Sequence, residues 1–219
     1  MSQEMTWRRI LGATGVIGAT VAVHEAAHAV AAARGGGRVR EVGVGFGPVL
    51  LRARVRGLPV TVRALPLGGY AHIDADDVPP HRRVPLLLAG PLANIVLGAL
   101  LLLAMRRHPI PALGEADRRV GLTGAIGTFT ALLRASEAGP GSVGRLAGAI
   151  NVGLGLMNLM PVYPLDGGHV VNSLLEARGA SPAARAFFTR RGAAVFAVIA
   201  QRAVAGDLRR LIRRAPDAH

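Results

Sequence analysis

Three ionisable side chains, His24, Glu25 and His28, stand within the five-residue segment HEAAH. On a helix, residues four apart lie on one face, so both imidazoles can present a ring nitrogen to a single zinc ion. Glu25 would then lie beside the metal without binding it, placed to take a proton from a water molecule at the ion. The spacing predicts zinc-dependent hydrolysis. The alternative is a pair of helix histidines that form only structural hydrogen bonds.

A catalytic zinc ion usually has three protein ligands and keeps a fourth position open, so two histidines leave it one ligand short. The chain has no cysteine, and the third ligand must therefore be a histidine or a carboxylate. Asp166 is one candidate, because it follows a proline-rich break and precedes two glycines that free the backbone to turn its carboxylate inward. His169 is the rival candidate. Its alternative interpretation is a histidine that supports the site without binding the metal.

The segments that carry these residues are strongly apolar. Hydrophobic residues make up 51% of the 219-residue chain and its mean hydropathy is +0.38, which is too apolar for an ordinary soluble domain of this size. Ionisable side chains inside a membrane span are costly and tend to face the bundle interior in functional roles. The apolar setting therefore favours a metal site over histidines that only pack.

Four segments are predicted to be membrane-spanning helices. The first is Ile10 to Ala33, which carries the histidine pair. The second is Val84 to Met105, the third is Arg145 to Leu165, and Gly192 to Gly206 is a weaker fourth; a span needs roughly 20 apolar residues. Gly121 to Leu133 is mildly apolar and is predicted to lie along the membrane interface. The fold class is a mainly α, polytopic membrane helix bundle.

A different pattern separates the first two spans. Short alternating runs, broken at Gly47-Pro48, Gly57 and Gly68-Gly69, predict a small antiparallel β-sheet over residues 38–73. We expect residues 1–219 to form one domain.

The net charge of +13 raises the question of nucleic-acid binding. All 26 basic residues are arginines, and they cluster between the apolar runs. Anionic lipid headgroups and membrane orientation favour such loop arginines. A nucleic-acid module needs a folded basic face with aromatics, but the chain has one Trp, two Tyr and five Phe. The expected partners are a lipid bilayer and a protein substrate, and no nucleic acid.

Four motifs, in order, resemble those of the site-2 protease family of intramembrane zinc metalloproteases, peptidase family M50. HEAAH, residues 24–28, is similar to the first motif, and NLMPVYPLDGG, residues 158–168, is similar to the second, N-x-x-P-x-x-x-x-D-G. AGPLANIVLG, residues 89–98, resembles the glycine-proline-asparagine motif. GVGFGP and LPLGGY resemble the membrane-associated β-hairpin region of bacterial members.

The resemblance implies one zinc ion per chain, held by His24, His28 and Asp166, with Glu25 as the general base.

The resemblance also implies that Asn94 and Asn158 hold the backbone of the substrate. A transmembrane substrate must unwind before cleavage, which frees amide groups where water is scarce, and a side-chain amide offers both a donor and an acceptor. The alternative for each asparagine is a hydrogen bond between helices.

The implied substrate is a single-pass membrane protein, such as an anti-sigma factor, cut within or near its transmembrane segment in the bacterial plasma membrane. Only about 40 residues separate Met105 from Leu146, too few for the PDZ domain that many relatives carry, so a minimal form is expected. A scaffold that binds helices without cutting them is a second hypothesis, against which the intact Glu25 argues. A soluble zinc peptidase with an unusually apolar core is a third.

Overall fold

A computed structural model describes residues 3–74, 78–110 and 124–214. Within these ranges the chain forms six helices and two long β-strands. In chain order these are α1 (Gln3–Arg34), β1 (Arg38–Val55), β2 (Leu58–Asp74), α2 (Pro80–Ala104), α3 (Ala125–Glu137), α4 (Pro140–Asn158), α5 (Asp166–Ala177) and α6 (Pro182–Arg214). The predicted mainly helical fold, with a small antiparallel sheet after the first helix, is confirmed.

The number of membrane spans is not confirmed. Two of the described helices, α1 and α2, are long and apolar enough to cross a bilayer. Helix α6 covers the predicted span Gly192 to Gly206, but arginines interrupt its apolar residues. Helix α4 has 19 residues and ends at Asn158, so the predicted span Arg145 to Leu165 is wrong at its C-terminal end, where the proline-rich segment leaves the helix. The predicted interfacial segment, Gly121 to Leu133, begins outside the described residues, and its remainder belongs to α3.

The sheet consists of β1 and β2 in antiparallel pairing, from Arg38 opposite Asp74 to Val55 opposite Leu58. The connecting turn places Arg56 and Gly57 at positive φ, 51° and 86°, a conformation that favours glycine. Several register shifts interrupt the ladder, so that the middle of β1 has partners in both halves of β2. The predicted range of 38–73 agrees with these strands.

Helix α2 lies at the centre of the bundle, where it contacts α1, α4 and α5. Its approach to α4 depends on small residues. A Cβ atom on Gly98 would lie 2.6 Å from the carbonyl oxygen of Gly148, and one on Gly155 would lie 2.6 Å from that of Pro91. Glycines at such positions let helix backbones pack closely. Residues on the other faces of α2 are thereby directed toward α1 and α5.

Candidate metal centre

The two histidines of α1 converge as their spacing predicts. His24 and His28 are both buried, their Nε2 atoms lie 3.1 Å apart, and their rings meet edge to face at 79°. The second nitrogen of the His28 ring is fixed, because its Nδ1 donates a hydrogen bond of 2.8 Å to the carbonyl oxygen of Leu86 on α2. This bond leaves the lone pair of His28 Nε2 directed at the point where the rings meet.

Asp166, the first residue of α5, completes the cluster. Its Oδ2 lies 3.0 Å from Nε2 of His24, and its Oδ1 lies 3.4 Å from Nε2 of His28. The two glycines that follow it explain the placement. A Cβ on Gly167 would lie 2.4 Å from the carbonyl oxygen of Leu159, and one on Gly168 would lie 2.4 Å from the amide nitrogen of Tyr163. Only glycines allow α5 to start this close to the preceding loop.

These three side chains fit a zinc ion. Tetrahedral zinc with ligand bonds of about 2.0–2.1 Å separates its ligand atoms by roughly 3.3 Å. The Nε2 atoms of the two histidines lie 3.1 Å apart, close to this value, and each faces a different oxygen of Asp166, at 3.0 Å for Oδ2 and 3.4 Å for Oδ1. Among the described residues, the histidine and carboxylate group able to hold a metal consists of His24, His28 and Asp166. Two neutral imidazoles and one carboxylate form a donor set typical of catalytic zinc.

Helix α2 leaves room for the cluster at Gly90. A Cβ atom there would lie 2.4 Å from Nε2 of His28 and 2.8 Å from Nε2 of His24. Any larger residue would therefore occupy the space in which the ligand atoms meet.

The cluster opens into a cavity of about 530 Å³. Glu25 lines this cavity beside both histidines, a position that its predicted role as a base requires. Strand β2 forms another wall, and its Gly69 lies so close to α1 that a Cβ would be 2.8 Å from Cγ of Glu25. The arrangement combines a metal-ligand cluster, a carboxylate beside it and space for a substrate.

The other predicted site residues occupy different places. Asn158 lines the cavity, and its Nδ2 donates a hydrogen bond of 3.0 Å to the carbonyl oxygen of Leu154. Asn94 is fully buried, and its Nδ2 lies 3.3 Å from Nδ1 of His24, behind the cluster. His169 lies in the cavity wall with its ring 4.7 Å from that of Tyr163, so the cluster forms with Asp166 and without His169.

Sequence reasoning missed four further polar residues of the cavity wall, Tyr70, Arg83, Asn172 and Ser173. Asn172 could have been found, because it follows His169 by three residues and so lies on the same face of α5. Arg83 gave no such signal. It ends near the cavity because its guanidinium forms an ion pair of 3.2 Å with Glu176, and no sequence pattern links these two positions.

Tyr70 is held by an acidic residue of the sheet. Its hydroxyl donates a hydrogen bond of 3.0 Å to Oε1 of Glu41, and the hydroxyl of Thr61 donates one of 2.5 Å to the same oxygen. These two hydrogen bonds, that of Thr61 first, hold the pKa of Glu41 below its usual value, because they stabilise the charged form. The network fixes a tyrosine ring at the edge of the cavity.

A histidine pair four residues apart, a distant aspartate and an adjacent glutamate, all on apolar helices, are features of a metallopeptidase built for a membrane. The sequence from residue 12 to residue 199 matches the family model of peptidase family M50. The chain belongs to this family.

Curated relatives carry metalloprotease names. A Nostoc sp. protein with a zinc metalloprotease name is 36% identical over 110 residues. Zinc metalloprotease Rip1 of Mycolicibacterium smegmatis is 33% identical over 103 residues. The chloroplastic membrane metalloprotease ARASP of Arabidopsis thaliana is 31% identical over 81 residues. The matches cover 43%, 38% and 37% of this chain. They cover only 30%, 25% and 18% of the respective relatives, so this chain corresponds to a minor part of each.

Proposed function

We propose that this protein is a zinc metalloendopeptidase that cleaves a peptide bond within or near the transmembrane segment of a single-pass membrane protein. The observation that carries the proposal is the convergence of His24, His28 and Asp166 on one point, with Glu25 in the same cavity. Membership of peptidase family M50 and the metalloprotease names of the relatives support the same activity.

Each of these residues has a defined task. His24, His28 and Asp166 would hold one zinc ion, which, when bound, would polarise the scissile carbonyl group and make a neighbouring water molecule more acidic. Glu25 accepts the proton of that water and later transfers it to the leaving amine. His24, Glu25 and His28 are each less than 10% exposed, so the charge of Glu25 acts on the reacting atoms with less screening than at a surface site.

The surroundings of the cavity favour an extended peptide as the substrate. Residues 69–71 and 73 of β2 line the cavity while pairing with β1, so a substrate strand can add to the free side of β2. Asn158 lines the same cavity, which supports a role for its side chain in binding a substrate amide group. An extended segment has lost its helical hydrogen bonds, and lipid offers no replacement for them. The edge of β2 and the Asn158 side chain would form hydrogen bonds with the freed backbone groups of the substrate.

A multi-pass location in a bacterial plasma membrane is the finer part of the proposal. The two apolar helices α1 and α2 support insertion, and the chain's arginines cluster between its apolar segments. Anti-sigma factors are the substrate class that we propose, with residues 1–219 acting as one catalytic core.

The test is cleavage of a transmembrane peptide substrate by protein purified in detergent. Glu25→Gln removes the base and keeps the three ligands, so we expect it to bind one zinc ion per chain and to lose at least about a hundredfold in rate. Glu137→Gln is the matched control, because Glu137 is 61% exposed and pairs with Arg9 instead of facing the cavity. Unimpaired cleavage by Glu25→Gln, or a wild-type protein without zinc, would contradict the proposal.

A further inference from the structure

The side-chain amide of Asn94 lies directly behind the metal cluster. Asn94 has 0% exposure, and its amide lies beside Nδ1 of His24, the ring nitrogen that faces away from the other ligands. Its Oδ1 is buried without a hydrogen-bond partner. A buried acceptor without a partner is costly. Oδ1 of Asn151 is also buried without a partner, but of these two amides it is that of Asn94 that lies against a histidine. Asn94 does not line the cavity, whereas Asn158 does.

The chemistry of histidine ligands gives a reason for this placement. An imidazole that binds a metal through one nitrogen carries a hydrogen on the other, and this N–H needs an acceptor to fix the ring. For His28 the acceptor is the carbonyl oxygen of Leu86, 2.8 Å from Nδ1. For His24 the group at Nδ1 is the amide of Asn94, 3.3 Å away. A half-turn of this amide exchanges Nδ2 and Oδ1, which places the unpartnered oxygen against the ring.

We infer that Asn94 is a positioning residue of the metal site, in place of the substrate contact expected from the sequence. Its Oδ1 accepts the hydrogen on Nδ1 of His24 and so keeps the lone pair of Nε2 directed at the ion. The inference rests on the proposed function, since it presupposes zinc at His24.

One face of α2 performs this positioning for both ligands. Leu86, Gly90 and Asn94 are four residues apart in sequence and therefore lie in a row along the helix. The first contributes a carbonyl acceptor for His28, the second leaves space for both imidazoles, and the third contributes an amide acceptor for His24. The row gives α2 a function in the metal site although α2 contributes no ligand.

A purely structural role is the competing explanation, and the chain contains an asparagine that represents it. Asn151 on α4 is 2% exposed, and its Nδ2 donates hydrogen bonds to the hydroxyl of Thr20 and to the carbonyl oxygen of Ala147. The bond to Thr20 joins α4 to α1, the bond to Ala147 lies within α4, and neither involves a histidine. Asn151→Ala therefore matches Asn94→Ala in burial and chemistry, and it serves as the control.

The experiment measures zinc affinity in detergent by competition with a chelator, on a Glu25→Gln background that prevents self-cleavage. We expect Asn94→Ala to bind zinc about 10- to 100-fold more weakly, the usual loss when a partner of a ligand histidine is removed. Asn94→Asp should retain near-parental affinity, because a carboxylate accepts the same hydrogen. Asn151→Ala should retain it as well, even where its thermal midpoint falls.

A second readout separates positioning from folding. In zinc-loaded protein with 15N-labelled histidine, the Nδ1 hydrogen of His24 should give a slowly exchanging signal that is lost in Asn94→Ala. The corresponding signal of His28 should persist, since Leu86 accepts that hydrogen through its backbone. The two histidines thus serve as an internal comparison within one sample.

Three results would decide against the inference. Unchanged zinc affinity and an unchanged His24 signal in Asn94→Ala would overturn it while leaving the proposed function intact. An equal loss of affinity in Asn151→Ala would overturn it by showing that any buried amide has this effect. Absence of zinc from the Glu25→Gln parent would instead contradict the proposed function, and the inference with it.

Discussion

At the scale of single residues, the metal centre depends on Gly90, which has no side chain. Gly90 faces the two imidazoles so closely that a methyl group would lie within 2.8 Å of both Nε2 atoms. We predict that Gly90→Ala lowers zinc affinity by about tenfold or more, because the rings must rotate away from their common point. The measurement is zinc content after dialysis against a weak chelator.

Gly153→Ala is the control for that substitution. Gly153 also lies within a helix, but a Cβ atom there would meet nothing within 4 Å. Zinc content should stay at the wild-type level, and stability should rise by up to about 1 kcal/mol because alanine favours the helix. Normal zinc binding by Gly90→Ala would show that α2 can move away from the cluster.

The residue scale also marks the limit of prediction from the sequence. The pairing of His24 with His28 follows from helix periodicity alone, and the structure brings the two rings together as expected. The choice between Asp166 and His169 could not be made from spacing, since it depends on how closely α5 approaches the preceding loop. The neighbour of Asn94 was equally inaccessible, because its contact with His24 crosses 70 residues and depends on how α1 packs against α2.

At the scale of elements, the sheet was predicted well because alternation and glycine breaks are local signals. What the alternation did not reveal is that Glu41, Thr61 and Tyr70 meet on it. Hydrogen bonds, chiefly from Thr61, lower the pKa of Glu41 in the folded state. Such a group contributes stability that is fully present above its unfolded pKa and is lost as pH falls through its lower folded pKa.

We therefore predict that the sheet loosens in acid and that Thr61→Val raises the pKa of Glu41 toward its usual value. The substitution removes the hydroxyl donor and leaves the side chain nearly the same size. The measurement is a pH titration of 13C-labelled glutamate carboxyls by NMR. Thr130→Val is the control, because the Thr130 hydroxyl bonds to Ile126 on an exposed helix surface and should leave Glu41 unaffected. An unchanged titration in Thr61→Val would refute the proposed cause.

At the scale of the whole molecule, α6 is joined to the start of α3 by one buried carboxylate. Asp207 is 2% exposed and accepts hydrogen bonds from the backbone amides of Gly124, Ile126 and Gly127 at 3.1 to 3.3 Å. It caps α3 from a distance of about 80 residues in sequence. We predict that Asp207→Ala destabilises the fold by about 1–2 kcal/mol, the usual cost of losing a cap.

Thermal unfolding in detergent checks this prediction. Glu4→Ala is the control, since its ion pair with Arg8 is about 80% exposed and should contribute little. Zinc affinity should be unchanged in Asp207→Ala, because the cap lies outside the metal cluster. A midpoint equal to that of Glu4→Ala would mean that water replaces the carboxylate at the end of α3. The sequence did not predict the contact of Asp207 with α3, because helix-capping patterns involve only residues of the helix itself and those next to its ends.

His24 and Asp166 lie 142 positions apart in the sequence, and this distance has a consequence for biosynthesis. On the proposed ligand set, a ribosome completes α1 and α2 long before it makes the aspartate, and the growing chain meanwhile lacks a competent centre. On the proposed function, the helices of the same polypeptide therefore cannot be cleaved by it until α5 has been synthesised and has docked. Because Asp166 is the last of the proposed ligands to be synthesised, proteolytic activity would begin only when the bundle is almost assembled.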